Sequence, residues 1–376
     1  MQFSFSDEQV QFRAILQRFL REKSPTIEVR RLMATTRGYD VEVWRQMAEQ
    51  LGLPAIHIPE IHGGSGFGAV ELCIVMEEFG RSLLCAPYFA SSVLATTAIM
   101  NAATADEQAE LLPPIASGGR IAALAFTEPN GRWDVTGIEL TASQTDADYR
   151  LNGTKSFVLD GCSADLLIVV ARAPGTSGSQ GLSFFRVETD AAGLTRQPLQ
   201  SMDATRKLAR LTFTNTPGIV LGELGNAAPA LSRTLSLAAI ALANEMAGGA
   251  QALLDSAVSY AKMRVQFGRT IGSFQAIKHK CADMLLEVES AKSAAYYAAQ
   301  AAADNDRNLP ALASLAKACA SEAYVNTAAN CIQIHGGIGF TWENDTHLWF
   351  KRAKSSEAFL GDPGYHRELF MQHRGL

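Results

Sequence analysis

The spacing of hydrophobic positions divides the chain into three stretches. In residues 1 to about 120, apolar side chains recur at helical spacing, first in a run that follows the capping residue Ser6. From 121 to about 217, short apolar runs such as ADLLIVVAR and LSFFRV alternate with turn residues, which is typical of β-strands. From Gly222 the spacing is helical again. The pattern therefore predicts helices, then strands, then helices.

The fold class that follows is α+β with mostly helices. We predict an N-terminal helical domain over residues 1–120, a middle β-domain over 121–222 and a C-terminal helical bundle over 223–376. The short, evenly spaced strands suggest a small antiparallel barrel or a sandwich. Asn152-Gly153 is a signal for a hairpin turn within this domain. Pro310 is expected to begin one of the C-terminal helices.

The N-terminal part contains a glycine-rich loop, IPEIHGGSGFG, over residues 58–68. Asp40 precedes a helix that ends before this loop, and further helices are predicted over 69–84, 89–101 and 105–116. No Gly-Lys-Ser/Thr follows the glycines, so the loop is not a P-loop. It is either a phosphate cradle of another kind or a plain connection between two helices.

Composition narrows the range of functions. The formal net charge of −5 opposes a nucleic-acid surface, which needs a basic patch. The first residues are acidic where a secretory signal peptide needs a basic one, and no apolar run reaches the length of a membrane span. The six cysteines show no C-x-x-C pairing and are typical of buried thiols in a reducing cytoplasm. We therefore expect a cytoplasmic protein without a metal, a nucleic-acid partner or a membrane partner.

A long apolar helix that begins near Leu231 carries the first candidate catalytic group. Between Arg233 and Asp255, its one charged side chain is Glu245. Burial disfavours the ionised form of a carboxylate, so a lone glutamate in an apolar helix needs a function or a basic partner. Both interpretations are open: Glu245 acts as a base, or it pairs with a basic residue of another helix.

The apolar helix leads into RVQFGRTIGSFQ, where Gly268 is predicted to end one helix and another begins after Gly272. This segment resembles the flavin-binding turn of acyl-CoA dehydrogenases, through the residues Arg264, Phe267, Gly268, Ile271, Phe274 and Gln275. A second match, QIHGGIGF over 333–340, resembles the family's Q-x-x-G-G-x-G-F. The resemblance implies FAD as cofactor and the family's fold, with a middle antiparallel β-barrel and a C-terminal four-helix bundle.

The resemblance also assigns roles to residues in these two segments. Arg264 and Gln275 correspond to residues that reach the pyrophosphate and ribose of FAD across a dimer interface, and Phe267 corresponds to an adenine contact. The backbone of Gln333, Gly336 and Gly337 is expected to lie along the neighbouring subunit's adenosine, because glycine permits close approach. Contacts of this kind imply an obligate oligomer.

Two segments of the β-domain resemble the family's contacts to the flavin ring. TEPNGRWD resembles T-E-P-x-x-G-S-D, which makes Thr127 a ring contact. Arg132 and Trp133 replace the family's Gly-Ser, so Arg132 either supplies charge to the phosphates or is a surface residue. NGTKSFVLD resembles N-G-x-K-x-W-I-T-N, with Phe157 at the stacking tryptophan and Leu159 at the threonine. Phenylalanine can still stack on the flavin, but leucine cannot donate a hydrogen bond.

The C-terminal region departs most from the family. Most members place their catalytic glutamate a short distance beyond G-G-x-G-F, where this chain has Leu360 in FLGDP, and Asp362 stands at a flavin-contacting threonine. Some family members carry the base on the long helix, about two turns before Glu245, where this chain has Ala238, so Glu245 lies on nearly the same face. ANEMAGGAQ, around Glu245, closely matches a segment of steroid-type members. Glu245 is therefore the candidate catalytic base.

Taken together, the resemblance implies an FAD-dependent acyl-CoA dehydrogenase that desaturates a bulky or steroid side-chain CoA ester. An electron-transfer flavoprotein is expected to reoxidise the flavin. The expected assembly is a homo- or hetero-tetramer with a second acyl-CoA dehydrogenase-like subunit. Two alternatives stay open, namely a catalytically silent subunit of an α2β2 enzyme and a flavin-dependent monooxygenase on the same fold.

Overall fold

The structure is a computed structural model that describes residues 5–145 and 148–375. The chain forms two compact units. The helical unit comprises the chain up to Arg30, Ala69–Leu84 and the chain from Ala239 onward. The mixed unit comprises Arg31–Gly68 and Cys85–Ala238. Each unit therefore draws on separated parts of the chain.

The N-terminal part is helical, as predicted. Ser6 begins the first helix with a capping box, since its hydroxyl accepts from the Gln9 backbone while the Gln9 side chain accepts from the Ser6 backbone. The sequence pattern missed the second helix, whose eight residues are too few to show a clear helical period. The helices are α1 (Asp7–Lys23), α2 (Thr26–Met33), α3 (Val41–Glu49), α4 (Ala69–Ser82), α5 (Thr96–Ala102) and α6 (Ala105–Ala116), with a π-helical segment, Phe89–Ala95, before α5.

The glycine-rich loop over 58–68 is a connection between helices rather than a phosphate cradle. Its backbone N–H groups are used within the loop, because those of Gly64 and Gly66 donate to Pro59 and Ile58. A Cβ added to Gly64 would lie 1.8 Å from the Ile58 carbonyl oxygen. The glycine is therefore required by the loop's own close packing.

The middle part forms a small barrel. Its strands pair in the order β1-β4-β2-β3-β7-β5, and β4 also pairs with β5, which closes the ring. Most pairs are antiparallel as predicted, but β1–β4 and β2–β4 are parallel. The strands are β1 (Ala122–Ala125), β2 (Thr141–Gln144), β3 (Tyr149–Leu159), β4 (Leu166–Arg172), β5 (Leu182–Glu188), β6 (Leu194–Leu199) and β7 (Leu208–Leu221).

The predicted hairpin turn at Asn152-Gly153 is wrong, because both residues lie inside β3. Asn152 pairs with Thr141, and Gly153 pairs with Phe213 beside a shift in the register of β3 and β7. Gly153 has φ +140, and a Cβ there would lie 3.0 Å from the Leu140 Cα. The glycine thus permits a β-bulge where another strand approaches closely, which is the alternative meaning of glycine in a strand.

The C-terminal part consists of three long helices and two shorter ones among the described residues. They are α7 (Ala227–Met263), α8 (Gln275–Ala303), α9 (Leu309–His335), α10 (Thr346–Ala358) and α11 (Pro363–Arg374). Helices α8, α10 and α11 all pack on α9. Pro310 lies in the first turn of α9, as predicted. The fold class, mostly helical with a β-domain in the middle, is confirmed.

Helix α7 ends at Met263, several residues before the predicted end at Gly268. A short hairpin follows, with β8 (Val265–Gln266) paired to β9 (Arg269–Thr270). Phe267 and Gly268 form its turn with φ of +52° and +76°. Two consecutive positive φ values are the requirement of the type I′ hairpin turn.

Helix α7 crosses α4 at two glycines. A Cβ on Gly248 would lie 1.9 Å from the Glu77 carbonyl oxygen, and one on Gly80 would lie 1.8 Å from the Glu245 carbonyl oxygen. The missing side chains therefore allow the two backbones to touch. Among the described residues, Ala227–Met263 is long and apolar enough to cross a membrane, but 83% of its most apolar window is buried inside the protein, as in a core helix.

A buried polar network joins α1 and α4 within the helical unit. Arg13 Nη1 donates to Glu77 Oε2 at 2.7 Å and to Glu78 Oε1 at 2.8 Å. The Tyr296 hydroxyl also donates to the Glu77 carboxylate. Within the described part of the chain, Glu78 Oε2 is buried without a hydrogen-bond partner. Burial raises the pKa of the Glu78 carboxyl, although Arg13 and Gln17 oppose this effect.

This network predicts a pH-dependent difference in stability between the wild type and Glu78→Gln. Because the pKa of Glu78 is raised above 4.5 in the folded protein, the folded state binds this proton more tightly than the unfolded state. Wild-type stability should therefore fall, relative to the variant, as the pH rises above 4.5. Urea denaturation of both proteins across this range measures the difference. A difference that does not change with pH would contradict the expectation.

Candidate active site

Thr127 lies directly beside the segment that carries Phe157. Its hydroxyl donates to the Ser156 carbonyl at 2.7 Å, and the Ser156 N–H donates to the Thr127 carbonyl at 2.9 Å. The threonine side chain is buried. Since its proton is already engaged, a flavin ring could use the Thr127 oxygen only as an acceptor. The structure therefore brings the two sequence-predicted ring contacts together.

A buried ion pair joins the same two segments one position further along. Lys155 Nζ lies 2.6 Å from Glu128 Oε1, and these side chains are 0% and 3% exposed. Lys155 also donates to the Phe126 carbonyl, and Glu128 accepts from the Leu140 backbone. Burial lowers the pKa of Lys155 to about 8, against the opposing effect of Glu128. The pair fixes the TEP segment to β3 beneath the candidate flavin contacts.

Phe157 is presented outward by an unusual backbone conformation. It has φ +59 and is 41% exposed, while its neighbours Ser156 and Val158 are buried. A register shift between β3 and β7 falls at this point. A positive φ is uncommon for a bulky residue and tends to occur where function requires it. Leu159 is buried, and its side chain has no hydrogen-bonding atom for a ring.

Arg132 is an exposed side chain at the end of the TEP segment. Its Nη2 lies 3.4 Å from Asp134, with 56% of the arginine side chain exposed. An exposed pair of this kind contributes little to stability, so the guanidinium is available to an anionic ligand. The neighbouring Trp133 ring packs on Phe126 at 6.2 Å between centroids.

We predict that Arg132→Ala weakens FAD retention by roughly tenfold, the loss expected for one charge-assisted hydrogen bond to a phosphate. Equilibrium dialysis of the apoprotein with FAD measures the effect. Arg210→Ala, which removes an exposed arginine of the same unit, serves as the control. Equal FAD affinity of the wild type and Arg132→Ala would show that Arg132 is a surface residue.

The predicted adenine and pyrophosphate contacts lie on the hairpin after α7. Arg264, Phe267 and Gln275 are all exposed, and Phe267 is 91% exposed at the tip of the turn. Phe267 meets Phe274 edge to face, and Arg269 lies over the Phe274 ring at 4.1 Å. The segment therefore presents cationic and aromatic groups on the surface of the chain.

The QIHGGIGF segment lies next to this hairpin. His335 stacks on Tyr260, one turn before Arg264, with ring centroids 4.2 Å apart. No described atom lies within 4 Å of a Cβ added to Gly336 or Gly337, so the backbone faces open space there. Gln333 is exposed on the same segment. His335 is a packed histidine whose Nδ1 donates to the Cys331 carbonyl.

Glu245 is buried and paired with a basic residue of another helix. Arg352 Nη1, on α10, lies 2.6 Å from Glu245 Oε1, and both side chains are 4% exposed. The structure thus identifies the basic partner that the sequence pattern leaves unnamed. Arg352 lies 107 positions further along the chain, so no local pattern connects the two residues. The basic run KRAK on a helix was the available signal.

Leu360 lies in a tightly held loop between α10 and α11. It is buried with φ +63, and its carbonyl accepts from His366 Nε2 at 3.0 Å. Lys317 Nζ, on α9, donates to the Gly361 carbonyl at 2.9 Å and to the Glu357 carbonyl at 3.2 Å. Burial, with help from Lys317, lowers the pKa of His366 to about 4. The loop is thus held by two basic side chains and presents a leucine that cannot accept a proton.

The architecture and these segments define a class of protein, a helical flavoprotein with a β-barrel between two helical regions. Family models for the acyl-CoA dehydrogenase N-terminal, middle and C-terminal domains match residues 6–119, 123–216 and 228–374. The chain therefore belongs to the acyl-CoA dehydrogenase family, as the sequence resemblance predicted.

Individual relatives agree with this assignment. Acyl-CoA dehydrogenase IpdE2 of Mycobacterium tuberculosis is 38% identical over 335 residues, covering 89% of this chain and 87% of the relative. The Caffeyl-CoA reductase-Etf complex subunit CarC of Acetobacterium woodii is 32% identical over 370 residues, covering 95% of each. A solved structure, the Tcur3481-Tcur3483 steroid ACAD, has TM-score 0.88 and 30% identity over 98% of both chains.

The cofactor of this family is FAD, and the residues of the chain fit it. The open backbone at Gly336 and Gly337 permits close approach of an adenosine. The outward Phe157 offers a ring for stacking, and the exposed Arg264 offers a charge for phosphate. The chain is an oxidoreductase of the acyl-CoA dehydrogenase type. Within residues 5–145 and 148–375, no cluster of His, Cys, Asp and Glu could hold a metal ion.

Proposed function

We propose that the chain desaturates the α,β bond of a CoA thioester with a bulky acyl group, and that Glu245 is the catalytic base. The observation that carries this proposal is the position of Glu245 on α7. It is a buried carboxylate on the long helix, and α4 approaches it without a side chain at Gly80. Leu360, where most family members have their base, cannot accept a proton.

The chemistry assigned to the chain's own residues is proton removal and alignment. Glu245 takes the α-proton as the C–H bond breaks, and Arg352 pairs with its carboxylate. FAD, when bound, accepts the hydride that leaves the β-carbon as the C=C bond forms. Thr127 and Phe157 hold and cover the flavin ring, and Arg264, Phe267 and Gln275 bind its nucleotide end across a subunit boundary. The adenosine of the FAD in the neighbouring subunit lies along the backbone of Gln333, Gly336 and Gly337.

The proposal also specifies that the acyl group of the substrate is bulky. The similarity to a solved steroid ACAD supports it, as does the match of ANEMAGGAQ to steroid-type members. An electron-transfer flavoprotein is proposed as the electron acceptor, because the similar CarC belongs to an Etf complex. From the sequence, we also propose that the protein is cytoplasmic.

The assembly is proposed to be a homo- or hetero-tetramer. Support comes from exposed apolar side chains on the helical unit, of which Phe267 is 91% and Phe340 is 81% exposed. Burial of these rings at a subunit contact would remove their apolar surface from water. A monodisperse monomer that retains stoichiometric FAD would contradict the assembly.

A silent partner subunit is the second candidate function. It is favoured by the buried ion pair of Glu245 with Arg352, which satisfies the carboxylate without any substrate. Leu159 and the replacement of Gly-Ser by Arg132 and Trp133 also fit a subunit with weakened flavin binding. In that case, a second acyl-CoA dehydrogenase-like subunit would supply the active site.

Anaerobic bleaching of the flavin by acyl-CoA separates these two functions. The purified chain, alone and co-expressed with its partner subunit, is mixed with butyryl-CoA and with a steroid side-chain CoA ester. The proposal expects a yellow protein that the bulky ester bleaches faster than butyryl-CoA. A protein that no acyl-CoA bleaches, with or without a partner, would overturn the enzymatic function. Faster bleaching by butyryl-CoA would overturn only the bulky substrate class.

A further inference from the structure

Glu245 on α7 and Arg352 on α10 form a buried ion pair. Both side chains are 4% exposed, and the Nη1–Oε1 distance is 2.6 Å. Taking two charges out of water is costly unless their geometry is good. A short contact between a guanidinium and a carboxylate is the geometry that offsets this cost best. The pair therefore holds the Glu245 carboxylate in one place.

Helix α4 confines the same side chain from the other direction. A Cβ on Gly80 would lie 2.9 Å from Glu245 Cγ and 1.8 Å from its carbonyl oxygen. The stem of the glutamate thus lies against bare backbone, which leaves it little room to change rotamer. The Glu245 side chain is therefore held at its stem by α4 and at its carboxylate by the guanidinium of Arg352 on α10.

We propose that Arg352 is a positioning residue for the catalytic base, an inference that rests on the proposed function of Glu245. Without the guanidinium, a buried carboxylate becomes neutral or moves toward water, and either change removes a base from its place. Arginine suits this role better than lysine, because its planar fork fixes the direction of the carboxylate as well as its charge. Arg352 does not itself touch the substrate in this scheme.

The test compares Arg352→Lys and Arg352→Met with the wild type in the FAD-loaded protein. Three quantities are measured: the limiting rate of anaerobic bleaching, the affinity for the acyl-CoA, and the melting temperature. We expect the limiting rate to fall roughly tenfold in the lysine variant and by about 10² in the methionine variant, the loss typical of a misplaced catalytic group. Acyl-CoA affinity should stay at the wild-type value.

Arg81→Lys is the matched control. Arg81 is a partly exposed arginine on α4 that pairs with Asp255 on α7, the helix that also carries Glu245. Its replacement tests whether any change of an arginine contact to α7 slows the reaction. We expect the limiting rate of this variant to equal that of the wild type. A fall equal to that of Arg352→Lys would overturn the assignment of Arg352.

A double-mutant cycle with Glu245→Gln distinguishes a failed positioning role from a failed function. If Arg352 acts through Glu245, Arg352→Met should cause no further loss in the Glu245→Gln background. If Glu245→Gln slows bleaching but both Arg352 variants bleach at the wild-type rate per folded molecule, Arg352 is structural and the inference fails alone. If Glu245→Gln bleaches normally, the proposed base fails and the inference fails with it. If Arg352→Met alone does not fold, Arg352→Lys, which keeps the positive charge, takes its place in the cycle.

Discussion

Replacement of Glu245 by glutamine should lower the limiting rate of flavin bleaching by roughly 10²–10⁴-fold, the contribution of a general base in typical enzymes. Glutamine keeps the size of the side chain and can still accept from Arg352 Nη1, but it cannot take a proton. FAD and acyl-CoA should therefore stay bound. The measurement is stopped-flow absorbance of the anaerobic FAD-loaded protein mixed with the acyl-CoA that bleaches the wild type fastest.

The control for this experiment is Asp255→Asn. Asp255 is an exposed carboxylate on the same helix, with 47% of its side chain exposed in its pair with Arg81. It should bleach at the wild-type rate. If Glu245 only forms a structural ion pair, its glutamine variant should lose stability, by about 3–5 kcal/mol for a broken buried pair, while each folded molecule bleaches normally. That outcome would favour the silent subunit.

The order of helices and strands could be predicted from the sequence because the hydrophobic period changes twice. The capping box at Ser6 and the proline near the start of α9 are local signals, and both are found as predicted. The end of α7 was placed too late, because the chain leaves the helix at Met263 and pairs Val265–Gln266 with Arg269–Thr270 in a hairpin whose turn has the two positive φ values. Local propensity does not report such a turn when its first residue is a phenylalanine.

The prediction at Asn152-Gly153 failed for a non-local reason. An Asn-Gly pair favours a two-residue turn only if the flanking segments pair with each other. Here the residues on both sides pair instead with β2 and β7. Register in a sheet is decided by partners that are distant in sequence, which a single segment does not reveal.

In the candidate site, too, local motifs could be recognised from the sequence, whereas partners distant in sequence could not. The motifs located Thr127, Phe157, the hairpin and the glycines, and their roles in FAD binding remain predictions. The ion pairs beneath them were not predicted, since Lys155 and Glu128 are 27 positions apart and Glu245 and Arg352 are 107 apart. A charged residue in an apolar segment signals that a partner is needed, but only the fold shows which residue it is.

Lys155→Met should destabilise the protein by about 3–5 kcal/mol, because it leaves the Glu128 carboxylate buried without its counter-charge. The lysine is 0% exposed and also donates to the Phe126 carbonyl, so that acceptor loses its partner too. The change should in addition weaken FAD retention, since the pair fixes the segment of Thr127 to the strand of Phe157. Urea denaturation of the apoprotein and FAD retention on gel filtration measure the two effects separately.

The double variant Lys155→Met/Glu128→Gln separates the charge from the packing. Its side chains carry no buried charge, and glutamine can still accept from the Leu140 backbone as Glu128 does. Replacing both members of a buried pair by residues of similar volume is often neutral, whereas removing one member is not. We therefore expect the double variant to recover most of the stability that Lys155→Met loses. If it recovers stability but not FAD retention, the ion pair positions the flavin-facing segments. If the single variant is as stable as the wild type, the ion pair does not hold the two segments together.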